Sequence, residues 1–157
     1  MGVKLLESRL CLLLLLLALV IVVASLQIPP NLTPSQWFEI QHVTMTSPRC
    51  NVAMRSVNRH TGQCKNLNTF LHTSFAAVVG VCGSVNTTCH NGRTNCHNSS
   101  TQVSLTFCNL TAPGLNYTQC QYQTTQARKF YRVACDYRTP RDNHTYLVVP
   151  VHLDGIF

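Results

Sequence analysis

Polar and apolar positions divide the chain into three regimes. The first is an unbroken apolar run of 15 residues, Leu10 to Ala24, behind a polar start that holds Lys4, Glu7 and Arg9. It is short for a bilayer span and fits the core of a secretory signal peptide. Val23-Ala24-Ser25 supplies small residues for cleavage, so the cut is expected between Ser25 and Gln27. Residues 1–25 then form a leader and 28–157 a single domain. In the second regime apolar residues recur at helical spacing. Thr33-Pro34-Ser35-Gln36 reads as a capping box with proline at the first helical position. It predicts a helix to about Met45, on which Phe38 and His42, four apart, share a face. Ser47-Pro48 repeats the start signal, and Cys50, Met54 and Val57 mark the buried stripe of a second short helix. Thr73 reads as the cap of a third, with Phe75, Val78, Val79 and Cys82 inward and Gly83 at its end.

From Cys89 onward the period shortens to two. Asn91-Gly92 is a tight-turn signal inside the small Cys89–Cys96 loop. Gln102 to Phe107 alternates as a strand, and Pro113-Gly114 breaks the pattern. Lys129 to Cys135 predicts a second strand, Arg138 to His144 a polar loop, and Tyr146 to Leu153 a last, valine-rich strand. Helices first and strands later give an α+β fold with an antiparallel sheet.

Cysteine usage adds a frame. There are nine cysteines, and Cys11 leaves with the leader. The remaining eight imply four bridges in an oxidising compartment, although spacing alone selects no pairing. Six Asn-x-Ser/Thr sequons, at Asn31, Asn86, Asn98, Asn109, Asn116 and Asn143, fit an exported glycoprotein. All are expected in loops or arms, except Asn109, which follows a strand end. Charge narrows the partners. The chain has 12 Lys and Arg against 5 Asp and Glu, and the leader removes Lys4, Arg9 and Glu7. A basic exported domain favours polyanions: nucleic acid, anionic lipid or heparan sulfate.

Seven histidines raise the metal question. No Cys-x2-Cys or His-Glu-x2-His spacing occurs, so no metal or cofactor is expected. His60, His72, His90, His97 and His144 read as surface or packing residues. His152 differs, because Asp154 two residues on shares its strand face and can fix its tautomer. With Gln41-His42 and Lys65, two histidines and one lysine are the groups needed to move a phosphoryl group by acid–base chemistry.

Three segments carry a resemblance. Phe38-Glu39-Ile40-Gln41-His42, Cys64-Lys65-Asn66-Leu67-Asn68-Thr69-Phe70 and Val149-Pro150-Val151-His152-Leu153-Asp154 resemble, in order and spacing, the catalytic segments of the pancreatic ribonuclease superfamily. Ser35-Gln36-Trp37-Phe38-Glu39, Phe107-Cys108-Asn109-Leu110-Thr111, Phe130-Tyr131-Arg132-Val133-Ala134-Cys135-Asp136 and the long 138–146 loop are similar to its eosinophil branch. The short Cys89–Cys96 loop looks pancreatic instead. The resemblance implies an RNase A-like domain, three helices packed on a V-shaped antiparallel sheet. It implies the pairing Cys50–Cys108, Cys64–Cys120, Cys82–Cys135 and Cys89–Cys96.

The resemblance also implies a secreted, pyrimidine-preferring endoribonuclease, stored in granules before release and monomeric. His42, Lys65 and His152 would be catalytic. Gln41, Lys65, Asn66, Leu67, Asn68, Thr69, Arg93, Asn95, Leu153 and Asp154 would bind single-stranded RNA. The cytosolic ribonuclease inhibitor would be a partner. A second class of function is a cationic host-defence protein whose catalysis is incidental. A third, an inert disulfide-framed ligand, leaves an intact His42, Lys65 and His152 without a physical reason.

Overall fold

Thr33 starts the domain's first helix as the residue pattern predicts. Its hydroxyl accepts from Gln36 N at 3.0 Å and its amide donates to Gln36 Oε1 at 2.9 Å, which closes the capping box. The structure is a computed structural model that describes residues 2–25 and 28–157. Helix α1 (Gly2–Ser25) covers the expected leader. Residues 26 and 27, within the expected cleavage window, lie outside the described residues. No helix among the described residues is long and apolar enough to cross a membrane.

The domain's helices are α2 (Pro34–His42), α3 (Cys50–Thr61) and α4 (Phe75–Cys82). Helix α2 stops three residues before the expected Met45. The amides of Val43 and Thr44 both turn onto the Glu39 carbonyl, at 3.0 and 2.9 Å, and close the last turn. Helix α3 buries Cys50, Ala53, Met54 and Val57, and ends on Gly62 at φ 70°, the left-handed conformation glycine tolerates. Helix α4 is capped by Ser74, not Thr73, because the Ser74 hydroxyl is the one that reaches Ala77 N, at 3.1 Å. Val79 is only half-buried on it.

The strands fall into two antiparallel sheets. One has the order β1 (Leu67–Leu71), β4 (Val103–Ala112), β5 (Gln121–Lys129). The other has the order β2 (Asn86–Thr87), β3 (Cys96–Asn98), β6 (Tyr131–Tyr137), β7 (Val148–Ile156). The expected strand over Lys129–Cys135 is therefore the junction of two strands. Phe130 breaks it by exchanging both backbone hydrogen bonds with Phe157, at 2.8 and 3.0 Å, while the two rings stack at 5.7 Å. Strand β4 runs on to Ala112, so Asn109 lies within a strand, opposite Leu67 and Gln123. Asn86 and Asn98 are also in strands, not loops, and Asn98 Oδ1 is engaged by Arg132 Nε at 2.8 Å.

Two main apolar clusters hold the layers together. Trp37, Met54, Val57, Phe70 and Tyr122 join α2, α3, β1 and β5. Phe38, Leu71, Val78, Leu105 and Val133 join α2, α4, β1, β4 and β6. Helix α2 contributes to both, so its C-terminal residue is fixed from two sides. Four disulfides lock the arrangement: Cys50–Cys108, Cys64–Cys120, Cys82–Cys135 and Cys89–Cys96. The three long closures span 58, 56 and 53 residues. In the chain-entropy account each contributes about 4 kcal/mol.

Candidate active site

His42 is the last residue of α2, and Phe38 one turn earlier is buried beneath it with ring centroids 5.3 Å apart. Its Nδ1 donates to the Thr69 carbonyl of β1 at 2.8 Å, the tautomer that leaves Nε2 free as a base. Burial pushes its pKa down to about 3, and the Lys65 charge and His152 push the same way, while the Thr69 carbonyl opposes them. The imidazole is therefore neutral at ordinary pH.

Lys65 follows Cys64 and precedes β1. Its Nζ donates to Gln41 Oε1 and to Asn68 Oδ1, both at 2.8 Å. Burial lowers its pKa to about 8, so it remains mostly charged at neutral pH. Asn68 was expected to contact substrate. It is 2 % exposed, and its amide end donates to the Gln41 carbonyl at 2.7 Å. Both ends of its carboxamide help hold Lys65 against α2. Behind Lys65 is a second brace. Asn58 Oδ1 accepts from Lys65 N at 3.0 Å, Tyr122 donates its hydroxyl to Lys65 O at 2.6 Å, and Asn58 Nδ2 donates to that hydroxyl at 3.0 Å. Asn58 is fully buried. Nothing local in the sequence singles out Asn58 or Tyr122, because these contacts join residues up to 64 positions apart.

His152 lies on β7 opposite Ala134, with its side chain 59 % exposed. Asp154 does share its side of the strand, yet the nearest approach, His152 Nε2 to Asp154 Oδ1, is 3.6 Å. That is an ion-pair distance rather than a hydrogen bond. The carboxylate is itself only 3 % exposed, and its closer partner is His90, whose Nδ1 donates to Oδ2 at 2.9 Å and whose amide reaches both oxygens at 3.3 and 3.2 Å. Arg132 Nη1 stands 3.9 Å away. His90, expected to be a surface or packing residue, is thus tied to the acid side of the site.

The remaining expected contacts divide. Thr69 is 8 % exposed, and its hydroxyl makes no hydrogen bond among the described residues. Asn66 and Leu67 are exposed beside it. Asn95 has both amide protons committed, to the Cys135 carbonyl and to Asp136 Oδ1, each at 3.1 Å, leaving its carbonyl oxygen for other contacts. Arg93 pairs with the same Asp136 at 3.3 Å. Leu153, an expected substrate contact, is half-buried against the second apolar cluster, because a residue between His152 and Asp154 points to the opposite face.

A buried neutral imidazole, a lysine held by two hydrogen bonds and an exposed histidine beside a carboxylate are the groups that acid–base phosphoryl transfer requires. Comparison with known proteins identifies the family. The family model described as pancreatic ribonuclease matches residues 33–154. Eosinophil cationic protein of Rattus norvegicus is 67% identical over the whole of both chains. Non-secretory ribonuclease and ribonuclease 2B of Mus musculus are 60% and 59% identical, again over the full length of each. With the fold, the four bridges and the match across nearly all of the domain in agreement, the chain belongs to the pancreatic ribonuclease family, as an eosinophil-type member.

Proposed function

We propose that the chain is a secreted endoribonuclease of innate host defence, cutting single-stranded RNA on the 3′ side of pyrimidines through a 2′,3′-cyclic phosphate without a metal. The observation that carries this reading is the neutral, Thr69-anchored His42 next to a charged Lys65. RNA brings its own nucleophile. His42 Nε2 takes the proton of the 2′-hydroxyl, the 2′-oxygen bonds to phosphorus, and the bond to the 5′-oxygen breaks. Protonated His152 gives the leaving 5′-oxygen its proton. With Nε2 turned toward Asp154, the donating nitrogen is Nδ1. Water then enters with the roles exchanged: His152 takes its proton and His42 returns one to the 2′-oxygen. Lys65 offsets the charge that builds on the non-bridging oxygens. Gln41 accepts from Lys65 through its carbonyl, so its amide protons are available to a phosphate oxygen. The Thr69 hydroxyl suits the edge of a pyrimidine, which offers one donor and one acceptor pattern to a group able to do both. The leader and the four bridges support export, and the exposed Asn31, Asn109, Asn116 and Asn143 are the sequons best placed to carry glycan.

Defined dinucleotides test this reading. UpA and CpA should be cleaved with a detectable cyclic intermediate, at full rate in excess chelator, while ApU is spared. Loss of activity on chelation, absence of the cyclic product, or equal cleavage of ApU would overturn the corresponding part.

A cationic surface role has its own support. Arg49, Arg55, Arg59, Arg128 and Arg141 are exposed, and none approaches a carboxylate within 4.0 Å among the described residues. Free guanidinium groups pair bidentately with phosphate and sulfate. Salt-sensitive binding to heparin and to phosphatidylglycerol vesicles is expected, unchanged in His152→Ala, and stronger after deglycosylation. Protein that ignores both at low salt in either form would remove this reading.

A further inference from the structure

We propose that His90 is a positioning residue for the general acid, acting on His152 through Asp154. The inference rests on the ribonuclease reading above and deepens it. At 3.6 Å the contact between Asp154 and His152 is electrostatic rather than a closed hydrogen bond, so where the carboxylate is held sets how it acts on the imidazole. The only strong hydrogen bonds to that carboxylate among the described residues come from one residue, His90, by its backbone amide and by Nδ1. Nδ1 takes Oδ2, and Oδ1 is left turned toward His152.

His90 can do this because its loop is rigid. The Cys89–Cys96 bridge closes it, Cys89 N donates to the Arg93 carbonyl at 2.7 Å, and Gly92 N returns to the Cys89 carbonyl at 3.0 Å. Gly92, at φ 87°, makes the turn that a side chain would strain. Asn91 Oδ1 accepts from Arg93 N, and Asn95 ties the far end to Cys135 and Asp136. The imidazole lies across β7 at Gly155, where an added Cβ would come to 3.5 Å of its Cε1. A side chain 70 % exposed is thus held by one hydrogen bond from its ring, by the backbone amide that bonds the same carboxylate, and by a strand surface. An exposed histidine without a task has no reason to be so fixed.

The experiment compares parent, His90→Ala and His90→Asn on UpA, with the tautomer of His152 read from ¹⁵N chemical shifts. The asparagine amide nitrogen stands where Nδ1 stood, so it restores the donor without the ring. His90→Ala is expected to lower kcat on the order of tenfold through misplacement of the acid, to leave KM within about twofold, and to mix the His152 tautomers. His90→Asn is expected to recover kcat to within about threefold of the parent. Parent-like kcat and tautomer in His90→Ala would overturn the proposal. So would equal impairment of both variants, which marks a role of the ring alone, or a raised KM with kcat intact, which marks a direct phosphate contact. If the parent itself fails to cleave UpA, it is the ribonuclease reading that falls, which separates the two failures.

Discussion

Replacing His42 with alanine is expected to lower kcat by roughly 10²–10⁴-fold, the usual worth of a positioned base, and His152→Ala by a similar factor. The pH dependence sharpens this. A general base acts when neutral, and burial with the Lys65 and His152 charges pushes the His42 pKa down to about 3. Neutral base is lost only as pH falls through that value, so the acid limb of kcat/KM, which reports the free enzyme, should lie well below the ordinary histidine range. A bound phosphate supplies negative charge beside the ring and moves the limb of kcat upward. The limbs of kcat and kcat/KM are therefore expected to separate on the acid side. If both lie together near the ordinary histidine value, or if either alanine variant keeps near-parental rates, the assignment of the base fails.

Lys65→Ala is expected to cost about 10²–10³-fold in kcat, the scale of removing one donor to a developing oxyanion. Lys65→Arg should also lose most of this despite its charge. The Nζ position is set by two 2.8 Å hydrogen bonds, to Gln41 and Asn68, and a planar fork cannot occupy a site shaped for a point charge. Burial lowers the Lys65 pKa to about 8, so the ammonium is present below that pH and lost above it. The sign is that alkaline conditions remove transition-state stabilisation. Direct NMR titration of the Lys65 side chain should find its midpoint near 8. An arginine variant as fast as the parent would show that diffuse positive potential is enough.

The two ends of this site differed in how far the sequence revealed them. His42 and Lys65 were legible because each sits in a short segment resembling a family motif, although their partners Thr69 and Gln41 lie 27 and 24 residues away. The brace behind Lys65 was not, because Asn58 and Tyr122 reach it across two elements and only folding joins them. His90 was hidden for the same reason, 64 residues from its carboxylate. Among the strands, β5 was missed because only Tyr122 on it is buried and it shows no alternation to read. The helix stripes were plain, since Cys50, Met54 and Val57 all face one core.

The order of the cysteines along the chain has a consequence for biosynthesis. On the proposed export route, Cys50, Cys64 and Cys82 would enter the oxidising lumen well before Cys108, Cys120 and Cys135, with which they are bridged. Until then the sole native partnership open to a nascent chain is Cys89–Cys96, seven residues apart. Three early thiols must stay reduced, or pair wrongly and be exchanged later. Thiol–disulfide exchange runs over seconds to hours and depends on an isomerase. On that route, maturation of this small domain is expected to be gated by reshuffling in the lumen rather than by the folding of its helices, and its yield in a heterologous host should follow isomerase capacity more closely than synthesis rate.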